Sequence, residues 1–150
     1  MTASFDVKRI LCPTDFSPAS EGAIRAAETV AERFGARLEL LHVWSPPVMV
    51  ALDAAVLPSP AEIVQLTAGL EQALAGASKK LSLPADRVDR HLVQGVAWRE
   101  VTEFASAKGF DLIVMSSHGR SGIAHFVMGS VTERVVRTSK VPVLVVPAVG

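Results

Sequence analysis

DLIVMSSHGRSGIAHFVMGSVTE, residues 111 to 133, decides the fold. An apolar run of strand length passes directly into a loop of small, polar and glycine residues, and a helix then opens at Gly129-Ser130. A run that is apolar at nearly every position suits a strand buried on both faces, as in a parallel sheet covered by helices. The loop then leaves the carboxyl end of such a strand, which is where open parallel sheets place their ligands.

Outward from this stretch, four more strands are readable: VKRILCP (7 to 13), RLELLHVW (37 to 44), RVDRHLVQ (87 to 94) and VPVLVV (141 to 146), with DLIVMS (111 to 116) the fourth of five. The first, fourth and fifth are almost continuously apolar, whereas RVDRHLV alternates and reads as a half-exposed edge. Helices fall between them. Ser17-Pro18 is an N-cap with proline at the first helical position, and Ala23, Ala27, Val30, Ala31 and Phe34 keep helical spacing until Gly35. Ser59 to Glu62, SPAE, is a capping box ahead of Ile63, Leu66, Leu70, Leu74, Ala77 and Leu81 on one face. A third helix is expected from Ala97 to Lys108, and a fourth from a second capping box at SVTE, Ser130 to Glu133. Strands alternating with helices predict an α/β fold with an open five-stranded parallel sheet and helices on both faces. Ser45 to Pro60 is the one long irregular connection, proline-rich at both ends and apolar in the middle. It reads either as a surface loop whose Val and Leu side chains pack on the neighbouring helix or as a mobile flap over the site.

With 150 residues and 49% hydrophobic composition, the chain suits one domain with a sizeable core. Fifteen basic residues balance fifteen acidic ones, so no global field favours nucleic acid or an anionic membrane, and any anion site must be local. A lone cysteine, Cys12, excludes an internal disulfide framework and a cysteine-based zinc site, and fits a reducing compartment. MTASFDVKR has no apolar signal core, and no window reaches the roughly 20 apolar residues of a membrane span. The expectation is a soluble cytoplasmic protein.

SSHG, at the carboxyl end of the fourth strand, has two readings. Gly119 and Gly122 turn the chain and Ser130 is an ordinary cap; or backbone N–H groups and the helix start at Gly129-Ser130 cradle an anion, phosphate being the natural one. CPTDFS, Cys12 to Ser17, places Pro13 and Asp15 at the end of a buried central strand. Asp15 there is a helix-start cap or a ligand contact. If the first and fourth strands are neighbours at the switch point, both features share one edge of the sheet.

With these residues in view, the chain resembles the universal stress protein family, UspA-like and of the ATP-binding type, over its full length. The residues that carry the resemblance are ILCPTDFSPAS, LLHV at 40 to 43, VQGVA at 93 to 97 and the stretch from Asp111 to Pro147. ATP-binding members have a loop of Gly, two residues, Gly, nine residues, then Gly-Ser or Gly-Thr. Gly119, RSGIAHFVM, Gly129 and Ser130 fit that frame, and Ser116 stands where the family has its first glycine. The resemblance implies a Rossmann-like sheet of order 3-2-1-4-5 in a single domain over residues 1 to 150. It implies ATP as ligand, with or without Mg²⁺, and a stress-response or signalling role. Pro13, Thr14 and Asp15 would line the adenosine side, the Val43 backbone would meet the adenine edge, and Met115 and Ser116 would border the ribose. Gly119, Gly129, Ser130, Val131 and Thr132 would hold the phosphates. It also implies a homodimer through the last strand, Val141, Val143, Leu144, Val145 and Val146, whose apolar faces would make an unpaired edge sticky. Its protein partners are unknown.

The sequence lacks the P-loop pattern with its lysine, and His118 and Arg120 are the basic residues near the loop, so little or no hydrolysis is expected. His118 reads as a phosphate contact or as a plain loop residue. His42 lies inside a strand and reads as a hydrogen-bonded core histidine; neither it nor His91 or His125 has metal-ligand spacing with another. Trp44 reads as rim packing or a stacking surface, Trp98 as core or interface, and Asp111 as a turn residue. A phosphoacceptor receiver domain needs an acidic cluster and a lysine after the last strand, which are missing. An adenylating enzyme needs a pyrophosphate-cradling signature after the first strand, which PTDFSPAS lacks. The alternative that survives is a nucleotide-free dimeric adaptor of the same family.

Overall fold

The computed structural model describes residues 4–119 and 128–148. Along the chain run β1 (Arg9–Pro13), α1 (Pro18–Phe34), β2 (Arg37–Trp44), β3 (Met49–Ala51), β4 (Ala54–Val56) and α2 (Pro60–Lys79). After a 3-10 turn at Ala85–Arg87 follow β5 (Val88–Gln94), α3 (Ala97–Ala107), β6 (Leu112–Ser116), α4 (Ser130–Thr138) and β7 (Val143–Val146). The five expected strands form one sheet in the order β5-β2-β1-β6-β7, every pair parallel. With the short β3 and β4 set aside, this is the expected order.

Strand alternation divides the core in two. Ile10 and Cys12, Leu38 and Leu40, and Leu112 and Val114 meet Ala23, Ala27, Ala31 and Leu74 of α1 and α2. Leu11, Leu41, Ile113 and Met115 meet Val101, Ala105 and Val135 of α3 and α4 on the other face. Burial on both faces is why β1 and β6 read as continuous apolar runs. Asp111 does more than turn the chain: its Oδ2 accepts the N–H groups of Lys8 and Arg9, both at 2.9 Å, and so registers β1 against β6.

Glu39 interrupts the second face. Its carboxylate is buried in β2; Oε1 accepts Arg9 Nε and Nη2 at 3.0 and 2.9 Å, and Oε2 lies 2.7 Å from His91 Nε2. Arg9 lies over the Phe110 ring at 4.3 Å, and the His91 ring is 4.8 Å from that of Phe104. Cys12, fully buried, has its thiol pushed up to about 12 by desolvation. Because burial raises this acid's pKa above its ordinary 9.0, the stability it contributes is present below pH 9 and falls away toward pH 12. The native protein is expected to leave a thiol-specific disulfide reagent unreacted at pH 8 and to react fully once unfolded, which absorbance at the released thiolate reads directly.

Two expectations need correction. The segment from Ser45 to Pro60 is not wholly irregular: Met49–Ala51 and Ala54–Val56 pair as an antiparallel hairpin. Its Leu52 and Asp53 turn residues have φ of 50° and 61°. A two-residue turn with both φ positive matches the twist of the strands it joins, so two short β-formers close into a hairpin despite the prolines. Val48, Met49, Val50, Leu52, Val56 and Leu57 are exposed rather than packed on a helix. Since Asn-Gly accepts positive φ far better than Leu-Asp, the double change Leu52→Asn, Asp53→Gly is expected to stabilise the chain by about 1 kcal/mol, seen as a raised denaturation midpoint.

The second correction concerns α4. Ser130 was expected to cap this helix with Glu133, but Gly129 is the N-cap, Ser130 is already helical, and no side chain caps the first turn. Glu133 pairs instead with Arg137 one turn on. The true capping box is Ser59 with Glu62, where Ser59 Oγ accepts Glu62 N–H at 3.3 Å and the carboxylate returns to Ser59 N–H at 2.6 Å.

Candidate functional site

Beyond the carboxyl ends of β1, β2 and β6 lies a cavity of about 250 Å³. It sits at the switch point, where β1 leads through α1 to one side of the sheet and β6 through α4 to the other. Pro13, Thr14 and Asp15 reach its wall from β1, Val43 from β2, and Met115, Ser116, His118 and Gly119 from the end of β6. Gly129, Ser130, Val131 and Thr132 complete it from the start of α4. Arg120, and His125 with it, lie outside the described residues. Ser20, Leu41, His42, Ala97 and Val101 also line the cavity. Sequence reasoning missed these as site residues, although Ser20, Leu41, His42 and Ala97 lie within the stretches that carry the resemblance. Trp44 and the β3–β4 hairpin are not among the lining residues.

The β1 exit is held by a chain of hydrogen bonds. Thr14 N–H donates to Leu41 O at 2.8 Å, continuing the ladder one residue past Pro13. Phe16 then takes φ of 64°, a left-handed conformation that costs a bulky residue about 1–2 kcal/mol. What holds it there is its own N–H donating to Thr14 Oγ1 at 3.0 Å and its ring packing 4.6 Å from that of His42. His42 Nδ1 in turn donates to Thr14 O at 2.7 Å. Ser20 Oγ gives its proton to Ser17 O at 2.8 Å, so Thr14 Oγ1 donates to Ser20 across 3.0 Å. His42 is therefore hydrogen-bonded, as its place inside a strand suggested, and still forms part of the wall. Asp15 Oδ1 accepts Ser17 N–H at 3.0 Å, a turn that leads into α1, whose cap is Ser17 and not Asp15; Oδ2 lies 2.6 Å from where a Cβ on Gly119 would sit. A side chain at 119 would have to displace the tip of the Asp15 carboxylate.

On the β6 side the polar groups are partly engaged with one another. Ser116 Oγ donates to His118 O at 2.6 Å, Thr132 Oγ1 donates to Ser116 O at 2.7 Å, and Gly129 N–H donates to Ser117 O at 2.7 Å. These bonds hold α4 against the end of β6, and they commit three donors that the family resemblance would turn toward a ligand. Other donors stay open. The N-caps of α1 and α2, Ser17 and Ser59, accept from their helices, whereas α3 and α4 open at Val96 and Gly129 with no side-chain cap. Ala97 and Ser130, the first residues of those two helices, both line the cavity. Unpaired first-turn N–H groups and the positive ends of two helix dipoles thus border one space.

The opposite wall is a sheet edge. Leu41 O faces β1 and Trp44 O accepts Gly95 N–H on the β5 side, so the alternation of the ladder turns Val43 N–H and C=O toward β1. β1 has by then ended at Pro13, opposite Leu41. Val43 therefore offers an adjacent donor and acceptor next to the apolar side chains of Leu41, Val101 and Met115. A flat heterocycle with neighbouring acceptor and donor atoms fits such a wall. Among the described residues no three His, Cys, Asp or Glu side chains gather to hold a metal ion.

Comparison with known proteins follows the same line. The profile of the Universal stress protein family matches residues 6–147. Universal stress protein MJ0531 of Methanocaldococcus jannaschii is 32% identical over 143 residues, covering 93% of this chain and 81% of that protein. Universal stress protein MJ0577 of the same organism is 30% identical, covering 93% of this chain and 94% of the relative. Its solved structure superposes with a TM-score of 0.76 over 96% of this chain and 98% of that one, at 28% identity. The universal stress protein of Archaeoglobus fulgidus in complex with dAMP shares the fold with a TM-score of 0.61 at 17% identity, covering 95% of this chain and 98% of that one.

Proposed function

The chain belongs to the universal stress protein family, and from that premise we propose that it binds ATP in the cavity at the carboxyl edge of its sheet and serves as a nucleotide-dependent dimer of the stress response, with little or no hydrolysis. The observation that carries this reading is the meeting of two unlike walls in one cavity: the free Val43 edge beside apolar side chains, and the uncapped starts of α3 and α4. Adenine, with an acceptor N1 beside a donor amino group, suits the first. Phosphate oxygens, which only accept, suit the second. Pro13, Thr14 and Asp15 would border the adenosine, and Met115 and Ser116 the ribose. Gly119, Gly129 and Ser130 to Thr132 would surround the phosphates, with His118 and Arg120 beside them. Mg²⁺ would arrive with the triphosphate.

Chemistry beyond binding has little support. The sequence has no P-loop lysine, and no acidic cluster of the described residues stands ready to arrange a metal or activate water. β7 supports the dimer: among the described residues it ends the sheet, pairs with β6 alone, and leaves Leu144 exposed, so Val141 and Val143 to Val146 would be covered by the same strand of a second copy. No helix of the described residues is long and apolar enough to cross a membrane; a cytoplasmic location and a single domain over residues 1 to 150 remain part of the proposal.

A second reading, a nucleotide-free dimeric adaptor, draws on one observation: Ser116, Gly129 and Thr132 direct their donors to neighbouring backbone. Calorimetric titration of nucleotide-stripped protein with Mg-ATP separates the two. Micromolar binding supports the nucleotide reading, and no heat from an intact dimer moves the protein to the adaptor class.

A further inference from the structure

Among the described residues one buried side-chain nitrogen or oxygen has no hydrogen-bond partner, Nε2 of His118. His118 lines the cavity, and its other ring nitrogen, Nδ1, lies 2.9 Å from Ser117 Oγ. Ser117 is held on every side: its N–H donates to Val146 O at 2.9 Å, its carbonyl accepts Gly129 N–H at 2.7 Å, and its Oγ accepts Ala148 N–H at 3.1 Å. The end of β7, the start of α4 and the His118 ring thus meet at one residue.

The protons can be assigned by counting. A serine hydroxyl has one proton, and Ala148, a backbone donor, leaves that proton free to go elsewhere. If it goes to His118 Nδ1, every group around Ser117 is satisfied and the neutral imidazole carries its own proton on Nε2. If Nδ1 instead donates to Oγ, the hydroxyl proton has no acceptor and Nε2 is a buried lone pair, so two groups are unmet instead of one. We propose that Ser117 is a positioning residue that fixes His118 as an Nε2–H donor for a phosphate oxygen of the bound nucleotide. The ligand half of this rests on the nucleotide reading above. His118 stands beside Gly119 and the open start of α4, so its donor joins theirs around the same anion.

The ring proton is read first, without ligand, on the full chain labelled with ¹⁵N-histidine. Multiple-bond proton–nitrogen correlation spectra report the tautomer, with His118→Gln identifying the resonance. The expected result is Nε2–H in the wild type, a mixed population in Ser117→Ala, and recovery in Ser117→Thr, which keeps the hydroxyl. An Nδ1–H ring in the wild type, or no response to Ser117→Ala, overturns the assignment whether or not any nucleotide binds. Calorimetry then reads the ligand. Ser117→Ala and His118→Ala are each expected to lower Mg-ATP affinity about tenfold and to leave adenosine binding unchanged. Unaltered Mg-ATP affinity in His118→Ala overturns the proposal while the nucleotide reading stands. Absence of Mg-ATP binding by the wild type defeats the nucleotide reading and the ligand half with it, and the tautomer still decides the role of Ser117.

Discussion

Gly129→Val is expected to lower Mg-ATP affinity by about 100-fold, to near the limit of calorimetric detection, with the sheet intact. Gly129 has ordinary backbone angles, φ −59° and ψ 153°, so valine is not excluded by conformation. What excludes it is space. A Cβ at this position would lie 3.3 Å from Ser117 O, 3.7 Å from His118 Cα and 3.9 Å from Gly119 N. All three are backbone atoms of the opposing loop, and none can swing aside as a side-chain tip would. The two γ-methyl groups of valine need more room than the Cβ alone, so the loop must move away from the start of α4. That separation breaks the Gly129–Ser117 hydrogen bond and moves apart the donors expected to share the phosphates, at about 1.5–3 kcal/mol for each charge-assisted bond lost. Gly129→Ala, which needs only a few tenths of an ångström, is expected to be much milder. Equal affinities for wild type and valine variant would place the phosphates elsewhere. A collapse of the far-ultraviolet circular dichroism would make the loss one of folding.

Glu39→Ala is expected to cost about 3–5 kcal/mol of stability, the range found when one partner of a buried ion pair is removed. The change leaves Arg9 and His91 facing a space their carboxylate filled, and Arg9 is anchored elsewhere by Lys108 O and the Phe110 ring. Replacing the group together, Arg9→Met with Glu39→Leu and His91→Phe, is expected to recover most of that loss, because an apolar set of similar volume needs no desolvated charge. Denaturant unfolding of the two variants measures both. A Glu39→Ala loss below about 1 kcal/mol would mean that Arg9 and His91 reach water once released. Since Glu39 pairs opposite Leu11, inside the sheet and before the β1 exit, Mg-ATP affinity of the folded variant is expected to be unchanged.

Much of this architecture is legible in the chain itself because burial on two faces leaves a mark that survives without coordinates. DLIVMS and ILCP have no polar side to show and read as strands buried on both faces, and RVDRHLV, which alternates, reads as an edge; VPVLVV, as apolar as the first two, nevertheless ends the sheet as β7. Local capping chemistry is similarly readable at Ser17 and Ser59, where neighbouring residues alone decide the bond. At Ser130 the same pattern misled. SVTE satisfies the rule for a capping box, yet the helix begins at Gly129, whose N–H bonds Ser117 O on the other side of the loop, a contact outside the reach of a four-residue motif.

The sequence by itself determined the five strands of the main sheet, through their periodicity, and its family resemblance implied their order and most of the residues at the carboxyl edge, whereas the β3–β4 hairpin left no such mark. Only the tertiary structure decided what those residues are free to do. Glu39 reads as a polar interruption in RLELLHVW until Arg9 and His91, thirty and fifty-two positions away, close on it. Val43 has an open edge because β1 ends at Pro13, opposite Leu41, while β2 runs on to Trp44, and Ser116 and Thr132 direct their hydroxyl protons to backbone because two strand ends and a helix start converge. A hydrogen bond belongs to two groups at about 3 Å, and which groups meet is settled by how the layers pack, a property no single segment carries.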